Sequence, residues 1–129
     1  VILVDTSAWV ELLNGRWRSR AASGDLLQFA TCGPVIQELL QGLRAGPAAE
    51  EFRDSLLSLP RLADPVSLSV YLEAAEIYRE GRNRGYTIRA STDCLIAAIA
   101  IDSGVPVWHK DRDFDHIAAY TRLRTVRLA

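Results

Sequence analysis

The chain has 129 residues, 49% of them hydrophobic and 24% charged, with a formal net charge of -1. That length is enough for a single domain, residues 1–129, with a real core, and the balance excludes a disordered chain. No global basic field advertises nucleic acid, although a local basic patch is compatible with the total. Cys32 and Cys94 are too few and too far apart for a disulfide framework or a zinc site, and read as reduced, buried thiols. The longest apolar run, residues 94–101, falls far short of the ~20 residues of a membrane span. No charged leader or cleavage site precedes Val1, so the expectation is a cytoplasmic protein with no membrane partner. The absence of an initiator Met fits a trimmed start.

Residues 1–4, Val-Ile-Leu-Val, run straight into Asp5, Thr6 and Ser7. An unbroken apolar run suits a strand buried on both faces of a parallel sheet. Asp5 then falls at the strand's carboxyl end, the edge where open α/β sheets place ligands. It equally suits an N-cap for the helix expected over residues 6–13, which Asn14 and Gly15 would close. Residues 16–24, with Arg16, Arg18 and Arg20 around Trp17, read as an exposed loop or helix end, and residues 29–32 as a short strand. Pro34 opens a helix whose stripe is Ile36, Leu39, Leu40 and Leu43, ended by Gly46 and Pro47. Residues 48–59 form another, with Phe52, Leu56 and Leu59 inward, before a connector with a short strand near Leu62. The longest helical pattern is 67–84, with Leu68, Tyr71, Leu72, Ala75 and Tyr78 as its stripe. Ser91 and Thr92 are N-cap candidates for a helix that is apolar nearly all round and therefore central. A strand over 105–109, a helix over 114–120 and a strand over 125–128 complete an α/β sandwich with a mainly parallel sheet.

The acids then fall in a pattern. Asp5 and Asp111 follow strands, Asp93 sits in the first turn of the central helix, and Glu38 one turn into the helix begun at Pro34. In a parallel sheet, strand carboxyl ends and helix amino ends share one rim, so four distant acids are steered together, with Asp113 and Asp115 nearby. Each has a plainer role available: Asp93 as a partner of the helix dipole, Asp111, Asp113 and Asp115 as a turn and cap, and Glu38 as a solvated residue opposite Leu39 and Leu40. Two carboxylates about 5 Å apart repel by roughly 3 kcal/mol at an effective dielectric near 20. Four ionised together require a cation, and all-oxygen ligands suit Mg²⁺ or Mn²⁺ and phosphoryl chemistry.

The stretches VILVDTSAWVELL, GPVIQELLQGL, STDCLIAAIAIDSG and VPVWHKDRDFDHIA, in that order along the whole chain, resemble the PIN-domain ribonucleases. They are most similar to the VapC-type toxins of bacterial toxin–antitoxin pairs. The resemblance implies a PIN-like three-layer sandwich with helices on both faces and an endoribonuclease dependent on Mg²⁺ or Mn²⁺. It implies catalytic acids at Asp5, Glu38, Asp93 and Asp111, of which Asp5, Asp93 and Asp111 hold the metal. Glu38 and Asp113 are further ligand candidates, Thr6 and Ser7 support the site, and Asp111 and Asp113 could exchange roles. It also implies a homodimer bound by a cognate antitoxin.

For RNA, phosphate contacts fall to Arg84, Arg89, Lys110 and Arg112, which lie near the acids in sequence, with Arg82 beside them. Tyr86 is the best candidate to stack on a base, whereas Trp9 and Trp108 read as core. His109 and His116 lack the tight spacing of a metal pair and read as structural or surface residues. The competing readings are a PIN nuclease of RNA maturation, a non-catalytic module that kept the fold, and aspartyl-phosphate chemistry. Ser7 stands where the last would want a second Asp.

Overall fold

The computed structural model describes residues 1–16, without the side chains of Gly15 and Arg16, and residues 28–127. Trp17, Arg18 and Arg20 lie outside the described residues. Four strands, β1 (Ile2–Val4), β2 (Phe29–Ala30), β3 (Val107–His109) and β4 (Thr125–Arg127), form one parallel sheet in the order β2-β1-β3-β4. Leu3 sits between Ala30 on one side and Val107 on the other. Leu3, Val4 and Val107 are fully buried, which is why these short strands carry no polar alternation. Beyond β2, Thr31 bridges Arg61, so the expected short strand near Leu62 is a single parallel bridge.

Among the described residues, six α-helices cover the two faces of the sheet: α1 (Thr6–Glu11), α2 (Gly33–Gln41), α3 (Pro47–Leu57), α4 (Leu68–Asn83), α5 (Ser91–Ser103) and α6 (Arg112–Tyr120). The sequence places all of them, with local corrections. Asn14 and Gly15 do not close α1, because a π-helical turn, Leu12–Arg16, continues it. Gly42, not Gly46, ends α2, and Gly46 with Pro47 instead opens α3. Neither Ser91 nor Thr92 caps α5; its N-cap is Ala90, in extended backbone. Its other end is as expected, with Gly104 at φ 69° in the left-handed region that favours glycine.

Helix α5 is the centre of the molecule. Ile96, Ala97, Ala98, Ile99 and Ala100 are all fully buried, so it is sheltered on every side. Helix α4 packs along it, but with a different face from the one the sequence suggests. Val70, Ala74, Ile77 and Gly81 are buried, at the i, i+4, i+7, i+11 spacing. Leu68, Tyr71, Leu72, Ala75 and Tyr78 are exposed, Leu68 at 72% and Leu72 at 60%. The inward stripe is built from smaller side chains, which bring α4 close to its neighbours, and bulk alone selects the wrong face. At Gly81 a Cβ would lie 2.5 Å from the Tyr120 hydroxyl, which itself donates to the Ile77 carbonyl at 2.7 Å. Trp9, Phe29, Phe52 and Trp108 form a run of edge-to-face rings under the sheet's other region, so the two described tryptophans are core, as expected.

Candidate active site

The strand order reverses at β1, so β2 and β3 flank it on opposite sides. In open parallel sheets such a switch point opens a crevice beyond the strand carboxyl ends. Asp5 follows β1 there, and Lys110 and Asp111 follow β3. The first turn of α5 brings Asp93, and α2 brings Glu38.

Hydrogen bonds fix each acid. Asp5 does cap α1: its Oδ2 accepts from the Ser7 amide at 2.9 Å and the Ser7 hydroxyl at 2.6 Å. Its Oδ1, equally buried, has no hydrogen-bond partner. Ser7 Oγ also accepts from the Lys110 amide at 2.9 Å, so one hydroxyl ties the ends of β1 and β3 together. Thr6 Oγ1 donates to Glu38 Oε1 at 2.9 Å. Glu38 is thereby half-buried against α1 and is not the solvated residue that the helix wheel alone suggests. Asp111 caps α6, its Oδ1 accepting from the Asp113 amide at 3.0 Å. Asp93 is buried, and its Oδ2 also lacks a partner. Buried polar atoms without partners are uncommon in native proteins and ask for an explanation.

The acids are coupled electrically. Burial first, then Asp5, Asp111, Asp113 and Glu38 in that order, push the Asp93 carboxyl up to about 8. Burial also raises Asp5, opposed by its bonds to Ser7 and Thr6 and assisted by Asp111. Glu38 is raised by burial and by Asp5, with Thr6 opposing. Ligand oxygens of Asp93, Asp111 and Asp113 lie within 4.8 Å of one another, close enough to hold one divalent cation. Asp5 and Glu38 are not part of that tight trio, although both act on Asp93. Asp113 is 2% exposed and so belongs to the site more fully than its place in a turn suggests.

The basic residues expected to meet RNA are distributed unevenly. Arg89 lies on the acids, its Nη2 3.0 Å from Asp111 Oδ1 and its Nε 3.3 Å from Asp113 Oδ2. Lys110 is ion-paired with Glu11. Arg84 is held by Glu80 at 2.7 Å and lies over the Tyr120 ring. Arg112 is exposed. Tyr86, half-buried, is stacked on His116 and Tyr120. His109 is fully buried, accepting from the Asp111 amide at Nδ1 and facing Asp115 at Nε2, which props the turn that carries Asp111. Burial lowers its basicity, in keeping with a structural role. The sequence reading missed Glu11 and named Asp115 only as a neighbour of the acids, not as the partner of His109. Glu11 stands four residues after Ser7, on the same face of α1, and that spacing could have found it.

Comparison with known proteins places this geometry. The PIN domain family model matches residues 2–120. The chain belongs to the PIN-domain family. A VapC ribonuclease from Mycobacterium bovis is 36% identical, covering 96% of this chain and 96% of that one. Two solved structures share the fold. VapBC-1 from nontypeable Haemophilus influenzae has a TM-score of 0.76 at 16% identity, over 98% of this chain and 96% of that one. VapBC-5 from Mycobacterium tuberculosis, of the VapBC family of toxin–antitoxin systems, has a TM-score of 0.61 at 24% identity, over 78% of this chain and 82% of that one. In this PIN domain, as the sequence anticipates, the acids gather at the carboxyl edge of a parallel sheet, and the cluster can bind a divalent metal. No helix among the described residues is long and apolar enough to cross a membrane.

The raised Asp93 carboxyl has a consequence for stability. Its folded value, about 8, lies above its ordinary value of 3.8. The stability it contributes is therefore full below about pH 4 and is lost as pH rises through 8. An asparagine at this position has nothing to ionise and nearly equal shape. In EDTA, the melting temperature of Asp93→Asn should rise relative to wild type between pH 5 and pH 8.5. A gap that stays constant over that range would contradict the assignment.

Proposed function

We propose that this protein is an endoribonuclease dependent on Mg²⁺ or Mn²⁺ and the toxin of a toxin–antitoxin pair. The observation that carries the reading is a pair of buried carboxylate oxygens without hydrogen-bond partners, Asp5 Oδ1 and Asp93 Oδ2, within a rim of five acids. Oxygen-only donors at this spacing fit a hard divalent ion. Asp93, Asp111 and Asp113 would hold it, with Asp5 beside them. A bound ion supplies charge stabilisation at the phosphate and lowers the pKa of water for attack.

The chain's own residues do the rest. Ser7 fixes one oxygen of Asp5, leaving the other for the site. Thr6 orients Glu38, whose carboxylate is placed to take a proton from an attacking water, and burial raises its pKa and so its basicity. Arg112, and the other basic groups once freed from their acidic partners, offer contacts to the phosphate backbone. The likeness to VapC ribonucleases supports RNA as the substrate, and the likeness to a member of the VapBC family of toxin–antitoxin systems supports a cognate antitoxin; the cytoplasm is the place of action in this reading. A PIN nuclease of RNA maturation would share this chemistry and differ in its target. A non-catalytic module would have no use for two buried oxygens left without partners.

The exposed apolar face of α4, with Leu68, Tyr71, Leu72 and Tyr78, supports the homodimer. Tyr71→Glu with Leu72→Glu should sediment as a monomer at concentrations where wild type is a dimer. Dimers of undiminished affinity would remove this face from the interface.

Cleavage of single-stranded RNA should require Mg²⁺ or Mn²⁺ and stop in excess EDTA. Asp5→Ala and Asp93→Ala should each lose more than the ~10–100-fold typical of an outer-shell partner, with an unchanged circular dichroism spectrum, whereas Ser7→Ala should fall within that range. Glu38→Gln should also be inactive. Full activity in EDTA would overturn the metal requirement, and wild-type rates in Asp93→Ala would overturn the site.

A further inference from the structure

We propose that Arg89 is the internal counter-ion of the acidic rim: it bridges Asp111 and Asp113 while no divalent cation is bound, and a cation entering the site displaces it. The inference rests on the cation site argued above and adds a competitor for it that belongs to the chain itself.

Three bonds define the arrangement. The Arg89 amide donates to Asp113 Oδ2 at 3.2 Å, Nε donates to the same oxygen at 3.3 Å, and Nη2 donates to Asp111 Oδ1 at 3.0 Å. Asp111 and Asp113 are two of the three acids whose oxygens cluster within 4.8 Å. The guanidinium thus occupies lone pairs that a cation would use. It cannot relieve the conflict by losing its proton, because arginine stays charged in proteins. A divalent ion and this fork therefore compete for the same carboxylates.

The local structure permits exchange without unfolding. Ile88, the preceding residue, is buried, and the Arg89 amide is anchored on Asp113, so the backbone is pinned at this point. The side chain beyond it is largely exposed, at 61%. The acids lie deeper, Asp113 at 2%, but solvent at the arginine end screens the bridge and leaves the guanidinium open to displacement by a divalent ion. The neighbouring cations are differently committed: Lys110 to Glu11 and Arg84 to Glu80. Among the described residues Arg89 is the arginine or lysine side chain placed on the cluster, and His116 Nδ1 stands 3.9 Å from Asp113 Oδ1 on its other side. Only after displacement is its fork free for a phosphate, so RNA contact by Arg89 depends on prior occupation of the metal site.

Two measurements on the full chain test this. Manganese chloride is titrated calorimetrically into wild type and Arg89→Gln, and the Arg89 Nε–H resonance of wild type is followed by NMR during a magnesium chloride titration. Removing the competitor should lower the Mn²⁺ Kd of Arg89→Gln by about two- to fivefold, the range of an exposed ion pair. The Nε–H signal should shift towards a solvent-exposed position and exchange faster as Mg²⁺ saturates. Mn²⁺ binding that is equal or weaker in Arg89→Gln, with wild-type binding intact, would overturn the role of Arg89 and leave the cation site standing. So would an Nε–H signal unmoved at saturating Mg²⁺. No Mn²⁺ binding in either protein would overturn both.

Discussion

Carboxylates repel, and in this protein the repulsion is built in. Asp5, Asp93, Asp111, Asp113 and Glu38 come from five separated positions, and the field of the other four, on top of burial, drives the Asp93 carboxyl up to about 8. Nothing in the local chemistry of any one residue would gather them. The gathering is imposed by a parallel sheet with its switch point at β1, which brings strand carboxyl ends and the first turn of α5 to one rim. The apolar strands and the buried centre of α5 supply the stability that lets the rim stay strained. Function here is a polar conflict held in place by an apolar scaffold.

The conflict is softened in two ways that the geometry separates. Each strand-end acid also caps the helix that follows it. Asp5 caps α1 through Oδ2 and leaves Oδ1 unpartnered, while Asp111 caps α6 through the oxygen that also receives Arg89. Capping and site-building are therefore not rival explanations for these residues. The second softening comes from cations, and in the ion-free protein Arg89 provides one. Small hydroxyls do the aligning: Ser7 locks Asp5 to the backbone after β3, and Thr6 locks Glu38 to α1.

Much of this was legible in the sequence, for physical reasons. The apolar run of residues 1–4 suited a buried strand, realised over Ile2–Val4, and a helix with almost no polar face suited the centre, so the positions of Asp5 and Asp93 followed. What was not legible depended on contacts between distant segments. The inward face of α4 was misjudged because Val70, Ala74, Ile77 and Gly81 win by smallness what Leu68, Tyr71 and Leu72 would win by bulk. Glu38 looked solvated because α1, which covers it, is 32 residues away. The Arg89 bridge spans 22 and 24 residues and has no local signature. Ser91 and Thr92 looked like caps because their type favours that role, yet the cap position falls one residue earlier, on Ala90 in extended backbone, and the helix already begins at Ser91.

The central claim is that these acids form a cation site with Asp93 inside it, and a thermal melt against Mg²⁺ tests it most directly. A ligand that binds the folded state alone stabilises it by about 1.4 kcal/mol at ten times its Kd. Wild type should gain stability with Mg²⁺ on that curve, and Asp93→Asn, which keeps the helix start but loses a charged ligand, should respond far less. Equal Mg²⁺-induced shifts in the two proteins would mean that Asp93 is not part of the site.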